Sequence, residues 1–196
     1  MTDEDFLKDS SNTPYDDVFR TLLNDCTQLI IAVINEAFGE DYTGNERIEF
    51  RPNEHFINQQ DGQEEKRVSD SFFVIYGDVP RGYHIECQSL PDGRILIRIF
   101  EYDSQIAIDN AKLDGDMLRV RFPNSAVLYL RSKASTPDTM RIIIETSGGE
   151  IGYDVPVIKV QKYSLDEIFN KGLLFLIPFY IFRHESGFAE YEKDAE

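Results

Sequence analysis

The run Ser125-Ala126-Val127-Leu128-Tyr129-Leu130 constrains this chain more than any other segment. It has the length of a strand, and its apolar side chains stand at both odd and even positions. Successive strand side chains point to opposite faces, so such a segment needs cover on both. Neighbouring segments can supply that cover. Thr13, Pro14, Asp16 and Asp17 read as a helix start, with Thr as cap, Pro in the first turn and carboxylates at the positive end of the dipole. From Val18 and Phe19 through Leu22, Leu23, Cys26, Leu29, Ile30, Val33 and Ile34 to Ala37 and Phe38, apolar residues recur at helical spacing. They predict one long amphipathic helix ending near Gly39.

The remaining segments complete a mixed sheet flanked by helices. Ile48–Pro52, with His55–Ile57, predicts a short first strand, and Asn58–Glu65 a hydrophilic loop. Val68–Tyr76 and Tyr83–Ser89 predict a hairpin closed by Gly77–Gly82. After the turn Pro91-Asp92-Gly93, the residues Ile95, Ile99, Tyr102, Ile106 and Leu113 predict a helix ending at Asp114-Gly115. Met140–Glu145 and Ile151–Val160 flank Ser147-Gly148-Gly149 as a second hairpin. Ser164-Leu165-Asp166-Glu167 is a capping-box sequence that opens a last helix through Phe182. Helix, strand, hairpin, helix, strand, hairpin, helix is an α/β order whose natural packing is layered.

Composition narrows the function classes. The 14 Phe and 10 Tyr provide core material that a disordered acidic polymer lacks. The longest apolar run, Leu173–Phe182, is broken by Pro178 and is about half the ~20 residues needed to span a bilayer, so no membrane partner is expected. Met1–Asp9 is acidic and lacks the basic start and apolar stretch of a signal peptide, so a cytoplasmic location is expected. Two cysteines make no disulfide framework, and no Cys or His pair has zinc-site spacing. The formal charge is −16, and an acidic chain repels polyanions. Acidic residues concentrate in the tails, whereas between Lys112 and Lys133 the bases Lys112, Arg119, Arg121, Arg131 and Lys133 outnumber Asp114 and Asp116. A solvated face is the ordinary explanation of such a run, and a channel tracking phosphates is the alternative.

The first hairpin carries the chemistry. On its second strand Glu86 and Gln88 project to one face and Tyr83, Ile85 and Cys87 to the other. With a register of even parity, Asp70 of the partner strand converges on Glu86 and Gln88. Two adjacent carboxylates raise each other's pKa unless a cation lies between them. A hard ion, Mg²⁺ or Mn²⁺, suits a site made of Asp70, Glu86 and a backbone carbonyl, that of Cys87, with Gln88 orienting a water. The other reading of these residues is that Asp70 and Glu86 are solvated strand acids paired with Lys66 or Arg67.

An acid on one strand, Glu-x-Gln on the next, then a helix and a buried strand, all after a leading helix, resembles the PD-(D/E)XK nuclease superfamily. The transposase-like, recombination-promoting branch is the closer likeness. Its opening pattern resembles Asp16, Phe19 and Arg20, its metal motifs resemble Arg67-Val68-Ser69-Asp70 and His84-Ile85-Glu86-Cys87-Gln88, and its following helix resembles the stretch with Arg98, Tyr102 and Gln105. Leu173–Tyr180 is similar to a leucine-rich helix beyond the core. The resemblance implies a restriction-endonuclease-like mixed β-sheet flanked by helices, with an added β-hairpin and C-terminal helix. It further implies Mg²⁺-dependent DNA endonuclease activity in a mobile-element or recombination context, with Asp70, Glu86 and Gln88 catalytic and Asp16, Arg98 and Tyr102 accessory. Ser69 stands in place of the family's Pro, and Gln88 in place of its Lys. An amide orients water but does not offset negative charge, so slow or altered catalysis is one expectation. An inactive nuclease-fold interaction module is the rival, and RNA hydrolysis a third reading.

The expected organisation is an acidic disordered tail over 1–11, a nuclease-like domain over 12–163, and a C-terminal helix and acidic tail over 164–196. Asp16 either reaches the site or stabilises its helix N-terminus. His84 reads as a locally hydrogen-bonded strand histidine or a group acting on a proton. Cys26 and Cys87 read as buried thiols, and Arg98, Tyr102, Gln105 and Asp109 as a polar helical stripe that contacts phosphate or faces solvent. The apolar crowd at Leu173–Phe182 is expected to dock on the domain or to form a homodimer through the C-terminal helix.

Overall fold

A computed structural model of the protein describes residues 14–51, 54–58, 64–68 and 72–185, with the backbone alone at Asp16, 54–58 and 64–68. Among the described residues no helix is long and apolar enough to cross a membrane.

The leading helical segment is broken. α1 (Pro14–Asp25) and α2 (Ile30–Phe38) are separated by a bend at Cys26 and a short 3-10 turn, Thr27–Leu29. The Thr27 hydroxyl donates to the carbonyls of Leu23 (2.9 Å) and Asn24 (3.2 Å), a back-bond that bends helices. Cys26 is thereby exposed at the bend, not buried as its helical spacing implied. α2 stops at Gly39, whose φ of 66° is the left-handed conformation that a glycine adopts without a Cβ penalty.

Six strands form the main sheet in the order β1 (Arg47–Phe50), β4 (Phe72–Tyr76), β5 (Pro80–Gln88), β8 (Asn124–Tyr129), β10 (Gly149–Lys159), β9 (Thr139–Thr146). The β5–β8 and β8–β10 pairs are parallel and the others antiparallel, so the sheet is mixed. Two hairpins stand outside it: β2 (Glu54–Asn58) with β3 (Glu64–Val68), and β6 (Lys112–Asp114) with β7 (Met117–Arg119). The expected single strand Val68–Tyr76 therefore comprises parts of two strands with different partners.

Both faces of the sheet are covered at β5 and β8, as β8 requires, whereas the β9–β10 hairpin leaves Ile143 and Ile151 exposed. Ala126, Leu128 and Leu130 join Tyr83, Ile85 and Cys87 of β5 beneath α1, α2 and the C-terminal segment, where Phe19, Ile30, Ile34, Phe175 and Phe179 are buried. Val127 and Tyr129 face the other way and pack with Val155 and Val157 against Ile95 and Ile99 of α3 (Ile95–Asp109). α3 ends where the Asn110 side chain donates to Ile106 O (2.8 Å). Leu113, 76% exposed, belongs to the β6–β7 hairpin and not to the helix. The last helical segment is also interrupted: α4 (Leu165–Asn170) closes before Gly172, and a 3-10 stretch, Leu174–Arg183, carries Pro178. Proline supplies no backbone donor, which disfavours a continuous α-helix there.

Candidate functional site

The site forms where α3 crosses β5 and β8. Period-two alternation turns His84, Glu86 and Gln88 of β5 toward α3, and the parallel register sets Ser125 of β8 beside His84. From above, α3 contributes Arg98, Tyr102 and Asp103. Five of these seven side chains are buried: His84, Glu86, Tyr102, Asp103 and Ser125.

Asp103 is the centre of the inner half. Its Oδ1 accepts from Ser125 Oγ at 2.7 Å and lies 2.8 Å from His84 Nδ1, while its Oδ2 accepts from the Tyr153 hydroxyl at 3.2 Å. A carboxylate offers only acceptors, so the His84 bond requires the proton on Nδ1. Burial acts to lower the His84 pKa, but the hydrogen bond to Asp103 and the negative charges of Asp103 and Glu86 outweigh it and hold the imidazole up at about 9. His84 is therefore an imidazolium between two carboxylates at neutral pH. Burial first, and then the Asp103 charge and hydrogen bond, also raise the Tyr153 phenol, which stays a neutral donor. The Tyr102 ring meets the imidazole edge-on, with centroids 5.8 Å apart.

Glu86 forms the outer half. Only 3% of the residue is exposed, which removes the reading of it as a solvated strand acid. Its Oε1 lies 2.8 Å from Arg98 Nε and accepts from Gln88 Nε2 at 3.2 Å, and its Oε2 is 3.7 Å from His84 Nε2. Arg98 also reaches outward, donating from Nη2 to Asp92 Oδ2 at 3.2 Å. The Arg98–Glu86 contact is close but not aligned. His84 Nε2, Glu86 Oε2 and Arg98 Nε are all buried without a hydrogen bond, and they converge at this one place. Buried polar atoms in finished cores are usually hydrogen-bonded, and here the three are held by ion-pair contact, so the cluster keeps unused bonding capacity at this point.

The residues singled out from the sequence fall in different places. Asp70 and Ser69 lie outside the described residues, as do the Thr13 cap, the side chains of Asp16 and His55, and both terminal tails. Glu86, Gln88, Arg98 and Tyr102 are brought together. Cys87 points its side chain into the opposite layer. Leu130 N donates to Gln88 O, so even-numbered residues of β5 turn their backbone groups to β8, and the Cys87 carbonyl is on the β4 side. The helical stripe divides: Tyr102 is buried, Arg98 faces Glu86, and Gln105 bonds Asp109 at the surface (2.9 Å). His84 is not bonded locally but to the helix above it.

Asp103, Ser125 and Tyr153 are functional candidates that sequence reasoning missed. Asp103 had a signal, since it falls four residues after Ile99 and three before Ile106, an acid on the apolar stripe of α3. Tyr153, on the distant strand β10, had none.

Among the described residues no group of three His, Cys, Asp or Glu side chains is arranged to hold a metal ion. Glu86 Oε2, a buried and unbonded hard oxygen, is suited to serve as one ligand of such an ion. The chain matches no protein-family model, no curated protein and no solved structure.

Proposed function

We propose that the protein is a Mg²⁺- or Mn²⁺-dependent nuclease that hydrolyses DNA phosphodiesters, in a mobile-element or recombination context, on a restriction-endonuclease-like sheet. The observation that carries this reading is the buried Glu86 carboxylate with its unbonded Oε2. The register of the β4–β5 ladder supports it: Phe72 opposes His84 and Val74 opposes Gly82, the even parity that convergence of Asp70 with Glu86 demands. Asp70, Glu86 and the Cys87 carbonyl would hold the divalent ion, whose charge would stabilise the phosphoryl oxygens and acidify a bound water. Gln88, already donating to Glu86 Oε1, has its amide oxygen available to orient the attacking water. The Asp103–His84 pair fixes Glu86 from behind.

The test is nicking of supercoiled plasmid by purified protein with Mg²⁺ or Mn²⁺, with RNA substrates alongside. Asp70→Ala and Glu86→Gln should each abolish cleavage while the proteins remain folded. Cleavage that persists in both variants overturns the assignment.

One observation favours a second reading, an inactive nuclease-fold protein acting as an interaction module. Arg98 and His84 already give Glu86 cationic neighbours, and Gln88 brings no charge of its own. Under this reading calorimetry detects no Mn²⁺ binding.

A further inference from the structure

We propose that β9 pairs with β9 of a second copy of this chain, antiparallel about a two-fold axis at Ile143, joining the two main sheets into one. β9 closes one side of the main sheet, and among the described residues β10 is its only strand neighbour. An edge strand presents a row of unpaired amides and carbonyls, which proteins commonly blunt by keeping the strand short or by placing Pro or Lys in it. β1, at the opposite edge, has four residues. β9 has eight, Thr139–Thr146, with no Pro, Gly or Lys among them.

The backbone fixes which residues can pair outward. Val157 N donates to Asp138 O at 2.9 Å in line with the β9–β10 register, so even-numbered residues of β9 turn their backbone groups to β10. Arg141, Ile143 and Glu145 turn theirs to the open edge. Two copies paired antiparallel must then match odd residues with odd, which centres the axis on a single residue. Charge selects that residue. Centred on Ile143, each Arg141 stands opposite the partner's Glu145, and the axis makes two ion pairs. Centred on Ile142, Arg141 meets the partner's Ile143, and centred on Ile144, Ile143 meets the partner's Glu145.

Within one chain Glu145 opposes Glu150 across the β9–β10 ladder, like charges on one face, whereas Arg141 gives Nη1 to Asp154 and keeps further donors. The partner's Arg141 relieves that repulsion. Exposed Ile143 meets its own copy at the axis, and on the other face Ile142 meets the partner's Ile144, extending the apolar layer under α3 from one protomer to the next. A charge of −16 per chain opposes association, so the attraction must be local, as it is at these two ion pairs.

Sedimentation velocity of the full chain over a concentration series tests this. The wild type should shift from 22.6 kDa toward twice that mass as concentration rises. Ile143→Pro removes an outward amide that bonds nothing in β10 and should abolish the shift, since an edge tolerates proline where its N–H would face solvent. Glu145→Arg sets like charges across the axis twice over while giving Glu150 a cation, and should weaken dimerisation roughly a hundredfold, which keeps the test decisive should the proline variant fold poorly. Combining Arg141→Glu with Glu145→Arg restores opposite charges and should restore the dimer. Loss in the single variants with recovery in the double variant supports the pairing. A wild type that stays monomeric at every concentration overturns it, as does a dimer that neither Ile143→Pro nor Glu145→Arg weakens, or growth into open-ended species. Failure of the double variant to recover overturns the register at Ile143.

Discussion

His84 Nδ1 and Asp103 Oδ1 lie 2.8 Å apart, with both residues fully buried, so the strand and the helix that crosses it are joined by a charge-assisted hydrogen bond. Ser125 and Tyr153 complete the coordination of that carboxylate from two further strands. Removing one partner of a buried pair leaves an uncompensated charge. Asp103→Ala should therefore destabilise the fold by about 3–5 kcal/mol in denaturant unfolding. Asp103→Asn still accepts the Ser125 bond and should cost only about 1–2 kcal/mol. Equal losses in the two variants would mean that the charge at position 103 contributes nothing.

Acid should weaken a different contact. Exposed Asp138 accepts from Lys162 Nζ at 2.7 Å and from buried Lys159 Nζ at 2.9 Å, and these two ammonium groups hold its pKa down at about 2. The folded value lies below the unfolded value of about 3.9, so the contribution is complete above that pH and disappears as pH falls through about 2. The Tm difference between wild type and Asp138→Asn should be constant above about pH 5 and should narrow toward pH 2. A gap unchanged down to pH 2 contradicts the assignment.

The N-terminus of α4 makes a separable contribution. Ser164 Oγ accepts from Glu167 N at 3.2 Å, and Glu167 Oε2 accepts from Ser164 N at 2.8 Å, a complete capping box. Ser164→Ala should cost about 1 kcal/mol in thermal or denaturant unfolding. Loss of less than a few tenths would show that α4 is held by its packing alone.

The two thiols should differ in reactivity. Cys26 is exposed at the α1–α2 bend and Cys87 is buried beneath the helices. A chromogenic thiol reagent should modify one cysteine per native chain and both after unfolding. Comparable rates at the two positions would place Cys87 outside the core.

Where side-chain period alone decides structure, the sequence was readable. β5 and β8 alternate as their residues imply, the hairpin at Gly148 and the capping box at Ser164 are where turn and cap chemistry put them, and Glu86 and Gln88 share a face. Helix continuity was not readable. Cys26, Leu29 and Ile30 keep helical spacing across a break that the Thr27 hydroxyl makes by bonding back to Leu23 and Asn24. The polar stretch read as a loop includes Asn58 and Glu64, paired ends of β2 and β3, because the ladder there is set by backbone pairing and not by apolar alternation. At the site, the sequence pointed to Glu86 but not to its neighbours. Asp103 and Tyr153 reach it through tertiary packing, and their separation from His84 along the chain hides the contact.

The parallel pairing of β5 with β8 also bears on how the protein folds. His84 and Ser125 become neighbours only after α3 and the β6–β7 hairpin have been threaded between them, a nonlocal closure whose entropy must be met before any contact repays it. Loop-closure entropy therefore predicts that the polar cluster under α3 forms after the local helices and hairpins, so substitutions at Ser125 should speed unfolding more than they slow folding.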